Sequence, residues 1–157
     1  MTRDQIALVR SSWALVVPLA EVVAARFYEQ LFTLDPSLRP LFAHTDSPAQ
    51  RRKFVQTLAI VVAGLDDLPR LLPAIEALGQ RHAGYGVTDA HYGTVRAALL
   101  WTLERGLGPD FDERTREAWD AAYRLLATVM QHAAARVTPN TETASRTNVI
   151  AASGYRS

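Results

Sequence analysis

The sequence predicts an all-α fold of six or seven helices of unequal length. Three observations carry that expectation. Apolar residues recur at intervals of three and four along most of the chain. Pro, Gly, Asp and Ser punctuate these stripes where helices would start and stop, and no segment alternates apolar and polar residues as a half-buried strand would. The 157 residues fit one domain, able to bury roughly 70% of the surface that its unfolded chain exposes, and so to enclose a cofactor.

Each element has its own signal. Thr2 and Gln5 have capping-box spacing, and Ile6, Val9, Trp13 and Val16 then form a helical stripe that runs to Pro18. From Leu19 the stripe resumes through Val22, Val23, Phe27 and Leu31. Asp35-Pro36 is a helix start, with a cap followed by Pro at the first position, and opens a short helix through Phe42. A loop, AHTD, follows; Ser47-Pro48 repeats the start signal ahead of Phe54, Leu58, Val61 and Leu65, and Gly64 with Asp66-Asp67 closes that helix. Leu72, Ile75, Leu78 and His82 lie on one face of the next, ended by Gly84 and Gly86, which can adopt left-handed backbone. Thr88 and Asp89 open a helix bearing Tyr92, Val95, Leu99 and Leu103 that stops at Gly106-Leu107-Gly108-Pro109. The last runs from about Asp112 to Arg136 with Trp119, Tyr123, Leu126 and Met130 on its stripe. Residues 1–137 are expected to form the domain, and the polar, aperiodic stretch 138–157 a flexible tail.

Composition removes several functions. Net charge is +1, so no strong field argues for nucleic acid or an anionic membrane; of the 17 basic residues only Lys53 is not Arg, which reads first as compositional bias. Cysteine is absent, which excludes disulfides, thiol catalysis, iron–sulfur clusters and covalent haem attachment through C-x-x-C-H. No uninterrupted stretch approaches the roughly 18 apolar residues of a spanning helix, and the N-terminus resembles no leader, so a cytoplasmic protein is expected. No glycine-rich phosphate loop, G-x-S-x-G or H-E-x-x-H is present.

Metal chemistry would therefore fall to the four histidines, His44, His82, His91 and His132. His82 lies four residues beyond Leu78 and seven beyond Ile75, so it continues an apolar face at a helix end. A neutral imidazole there suits an iron; a lone His at a helix C-terminus also serves simply to offset the dipole, and spacing leaves both readings open. Gln50 precedes Phe54 and Leu58 at four-residue intervals, so it faces the core either as a first-turn amide with a wet tip or as a hydrogen-bonding group over a ligand. Tyr28, beside Phe27, carries the same ambiguity.

The order of longer motifs is more specific. RFYEQLF at 26–32, DPSLRPLF at 35–42, QRRKF at 50–54, LPRLLPAIEALGQRHAGYGV at 68–87, HYGTV at 91–95 and EAWDAAYRLLATVM at 117–130 resemble single-domain bacterial globins and the globin half of flavohaemoglobins. The likeness is collinear over about residues 3–134.

That resemblance implies a globin fold around non-covalently held haem b, with His82 as proximal ligand, Phe42 packed on the haem, and Tyr28 and Gln50 as the distal pair. Phe54 would hold a position usually given to a smaller aliphatic residue and restrict larger ligands. Lys53 and Arg81 would lie near the propionates, and Leu78, Val87, Tyr92 and Val95 would line the haem. The implied activity is binding of dioxygen and other diatomic gases at ferrous iron, with conversion of nitric oxide to nitrate; the alternative is oxygen binding, storage or delivery without turnover. Turnover requires a separate reductase, and the protein is expected as a monomer or weak homodimer that engages neither nucleic acid nor membrane. One departure bears on catalysis: flavohaemoglobins place a carboxylate from the last helix near the proximal His, and QHAAAR at 131–136 has none.

Overall fold

Local chemistry fixes the first turn. Thr2 Oγ1 accepts from the Gln5 amide at 3.1 Å while the Gln5 side chain accepts from the Thr2 amide at 3.0 Å, the reciprocal box expected from their spacing. In the computed structural model, residues 1–42 and 48–137 are described. Within them the α-helices are α1 (Arg3–Val16), α2 (Ala20–Leu34), α3 (Pro48–Ala63), α4 (Leu68–Gly84), α5 (Asp89–Leu107) and α6 (Glu113–Val137). Short 3-10 segments at Val17–Leu19, Pro36–Phe42 and Gly108–Asp110 join them, and no strand occurs among the described residues. The AHTD loop with His44, the Ser47 cap and the tail expected from residue 138 lie outside the described residues.

Other boundaries also follow local rules. Asp35 accepts from the Ser37 amide at 3.1 Å at the head of the Pro36 segment, and Asp112 accepts from the Thr115 amide at 2.8 Å at the start of α6. His91 acts as a cap, its Nδ1 accepting from the Thr88 amide at 2.9 Å. Gly86 and Gly108 take positive φ, at 85° and 55°. Gly84, expected to share that role, remains helical as the last residue of α4, so the left-handed turn falls two residues later.

The stripes converge on one core that includes Val9, Trp13, Phe27, Leu31, Ile75 and Leu103. Val22 departs from its expected place and is 57% exposed, because the buried face of α2 runs through Ala24, Phe27, Tyr28 and Leu31. α1 is tied to both halves of the chain. Trp119 on α6 donates its indole N–H to Ser12 Oγ at 2.8 Å, and its ring centroid lies 6.2 Å from that of Trp13. Arg10 donates to the Val62 and Ala63 carbonyls at 3.3 and 2.8 Å, satisfying two acceptors that the end of α3 leaves open.

A correction concerns the N-terminal third. By length and composition the run Arg3–Leu34 is apolar enough to cross a membrane, where none had been expected. The expectation counted uninterrupted apolar residues, whereas a window tolerating isolated charges passes. In the fold the run is divided: Pro18 lies in a 3-10 turn, and Val9, Trp13, Phe27 and Leu31 are buried on either side of it.

Candidate functional site

α4 carries the principal candidate, and α6 sets where α4 lies. At Gly79 the two helices meet so closely that an added Cβ would stand 2.5 Å from the Met130 carbonyl oxygen. One turn on, half-buried His82 places Nδ1 2.8 Å from the Leu78 carbonyl oxygen. With Nδ1–H donating to that carbonyl, Nε2 keeps its lone pair and the ring its orientation, which is the arrangement that an imidazole ligand to a metal requires. Burial pushes the His82 pKa below its usual value; the Leu78 bond opposes this and Arg81 adds to it, so the neutral, ligating form is favoured. The backbone carbonyl of His82 accepts from Val87 N–H at 3.1 Å across the positive-φ turn at Gly86.

Tyr28 lies at the centre of a second group, made by α2, the Pro36 segment and α3. Its ring meets Phe42 at 5.6 Å and Phe54 at 5.7 Å, both edge-on, while Phe27 and Phe54 stack at 4.4 Å with planes 10° apart. Such pairs are held by area burial plus about 0.5–1.5 kcal/mol of ring electrostatics each. Tyr28 is buried; Gln50, Phe42 and Phe54 are half-buried, so the sequence-selected Tyr28, Phe42 and Phe54 do come together. Leu78, Val87 and Val95 are partly buried against the core and Tyr92 is buried, whereas Lys53 and Arg81 are exposed.

Behind Tyr92, two features emerge only in three dimensions. The Tyr123 hydroxyl donates to the Tyr92 carbonyl at 2.5 Å, and burial raises both phenol pKa values, so each remains a protonated donor. Asp120 pairs with Arg96 and, at 3.1 Å, with Arg124. The signal for the first was available, since a Tyr on a core stripe needs a partner for its hydroxyl; its identity was not. In place of an acid on α6, Gln131 makes a long 3.4 Å contact to Asp89.

The donor set bears on what could bind. Among the described residues no group of three or more His, Cys, Asp or Glu converges. A metal at His82 would thus bring most of its ligands with it, as an iron porphyrin does, and one oriented neutral imidazole fits that cofactor. A separate cavity of about 20 Å³ between α1, α3, α5 and α6, lined by Val9, Leu58, Leu99 and Trp119 among others, is too small for any macrocycle.

Comparison with known proteins identifies the family of the chain. A model described as Globin matches residues 25–130. A flavohemoprotein of Vibrio cholerae is 30% identical over 132 residues, which is 82% of this chain and 33% of that protein, so the chain spans about a third of the relative's length. A bacterial globin of Campylobacter jejuni superimposes with a TM-score of 0.78 at 23% identity, over 88% of this chain and 99% of that one. An engineered carbene transferase of Rhodothermus marinus, described as a candidate nitric oxide dioxygenase, superimposes with a TM-score of 0.78 at 28% identity, over 88% and 96%.

Proposed function

The chain belongs to the globin family, and on that premise we propose that it binds haem b non-covalently through His82 and acts in the cytoplasm as a nitric oxide dioxygenase re-reduced by a separate protein. Membership of the family makes it a haem protein for small diatomic gases; the ligand set, the activity and the electron donor are the proposed part. The observation that carries the reading is the half-buried His82 with Nδ1 held 2.8 Å from the Leu78 carbonyl, leaving Nε2 as the ligating atom. The flavohemoprotein relative and the Rhodothermus neighbour support the choice of reaction.

Haem, when bound, would supply an iron that binds a diatomic gas and the redox chemistry by which dioxygen oxidises nitric oxide to nitrate. The protein's share is orientation and exclusion. His82 would hold the iron through Nε2, its ring kept in orientation by the Leu78 carbonyl. Tyr28 and Gln50 would donate hydrogen bonds to the gas, each contributing roughly 1.5–3 kcal/mol when the acceptor carries charge, which corresponds to about tenfold to a hundredfold slower escape. The Phe27–Phe54 stack walls the ligand space and admits diatomics more readily than bulkier ligands. Phe42, Leu78, Val87, Tyr92 and Val95 supply the apolar contact for the porphyrin, with Lys53 and Arg81 at its charged edge.

One observation favours a second reading, gas binding, storage or delivery without turnover: 131–136 carries no carboxylate to raise the basicity of the proximal imidazole. Stopped-flow mixing of the oxygenated protein with nitric oxide separates the two. Stoichiometric nitrate formed within the mixing time supports the enzyme; slow consumption leaves gas binding. Loss of the Soret band in His82→Ala is expected for either, and an unchanged band would refute the ligand assignment.

A further inference from the structure

The rim beside His82 carries two exposed side chains, Leu41 and Tyr85, that have no part in the proposed haem site. Tyr85 is 64% exposed with its ring centroid 6.1 Å from that of His82, and Leu41 is 37% exposed. The two belong to one patch: the Leu41 side chain lies over the α4–α5 turn, with Cδ2 4.0 Å from where a Cβ on Gly86 would stand. Exposed Arg39 precedes Leu41 by two residues, its guanidinium 5.0 Å from the Phe32 ring, and exposed Arg81 immediately precedes His82.

Neither Arg39 nor Arg81 joins an ion pair among the described residues. The pairs that form lie elsewhere: Arg10 with Asp66, Arg96 and Arg124 with Asp120, Arg116 with Glu104, and Arg136 with Glu76. Nearby Asp35 is committed to Ser37, and Asp89 faces Gln131. The result is a small apolar centre with a cationic margin, one ring away from the candidate iron ligand. An acidic protein surface complements it, and electron-transfer encounters succeed with small, weakly held interfaces that depend on charge for steering.

We infer that the rim formed by Arg39, Leu41, Arg81 and Tyr85 is the docking face for a one-electron donor protein with an acidic surface. The inference rests on the reading that a separate protein returns the iron to the ferrous state. The step transfers one electron from the partner's reduced flavin or iron–sulfur centre to ferric iron; the partner is oxidised by one electron, and no bond is made or broken.

Flavodoxin, an acidic one-electron flavoprotein, serves as the probe. Reduced flavodoxin mixed with the ferric holoprotein under carbon monoxide should reduce it at a rate that falls about tenfold or more between 20 and 300 mM salt, and by about threefold or more again in R39E. Free reduced riboflavin should reduce both proteins equally. Titration with oxidised flavodoxin, read as amide chemical-shift changes, should map to Leu41 and Tyr85 without any reduction taking place. Reduction rates indifferent to salt and charge reversal, shifts on another face, or binding to phosphatidylserine vesicles in preference to flavodoxin would each overturn the assignment. Shifts on the rim with iron that stays ferric would support the docking face and defeat the turnover reading instead.

Discussion

Replacing Gly79 by Ala tests whether α4 owes its position, and therefore that of His82, to contact with the backbone of α6. The added Cβ would meet the Met130 carbonyl oxygen at 2.5 Å, Cα at 2.6 Å and carbonyl carbon at 2.9 Å, all backbone atoms that no rotamer change can move aside. Restoring ordinary contact requires the helices to part by about 1 Å. Overpacking of this kind costs about 3 kcal/mol, offset by about 1 kcal/mol from the better helix propensity of Ala, for a net loss of roughly 2 kcal/mol and a fall in Tm of roughly 4–8 °C. Gly84→Ala is the internal control, because nothing lies within 4 Å of its Cβ position at the end of the same helix. It should be neutral or stabilising by up to about 1 kcal/mol. Urea denaturation of the two variants, with haem affinity measured alongside, reads both effects; the 1 Å displacement should also weaken haem retention in Gly79→Ala only. A Gly79→Ala protein as stable as Gly84→Ala would refute the close approach and, with it, the account of how α4 is held.

Three further outcomes are expected. Ser12→Ala leaves the buried Trp119 indole N–H without its acceptor and should cost about 1–3 kcal/mol by denaturant unfolding, whereas exposed Ser11→Ala should change stability by no more than about 0.5 kcal/mol. The Arg96 guanidinium, opposed by burial and aided by the Arg124 charge, holds the Asp120 carboxyl below its ordinary range, so its contribution is fully present above the unfolded-state pKa of about 4 and is lost as pH falls through the folded value. Asp120→Asn should accordingly be less stable at neutral pH and show a shallower loss of stability below about pH 4. Tyr28→Phe should accelerate oxygen release by about tenfold or more in flash photolysis while leaving carbon monoxide release nearly unchanged, since the latter ligand accepts only a weak hydrogen bond.

What could be read in the sequence was mostly what neighbouring residues decide among themselves. The Thr2–Gln5 box, the Asp35 and Asp112 caps and the Gly108 stop involve partners within a few positions, and all appear where the spacing predicts them. Gly84 and Gly86 can both be left-handed by sequence, yet only Gly86 is, because the position of the turn depends on how Val87 reaches back to His82. Val22 was assigned to the core because it extends a stripe; only the packing of α2 shows that its buried face lies elsewhere. Gly79 carried no signal at all, since its role requires knowing that α6 crosses there. The candidate site divides in the same way. Periodicity brought forward His82 with two readings open, and the motif order chose between them, but the meeting of Tyr28, Phe42 and Phe54 needs three elements brought together.

The Ser12–Trp119 bond joins residues 107 positions apart, and that separation has a consequence during synthesis. At roughly 5–20 residues per second, Trp13 leaves the ribosome roughly 5–20 s before the α6 residues that cover it. For that interval the face of α1 around Ser12 and Trp13 lacks the α6 residues that cover it, while α2 already has α3 and α5 to pack on. The nascent chain therefore carries that apolar surface uncovered until its final helix is made.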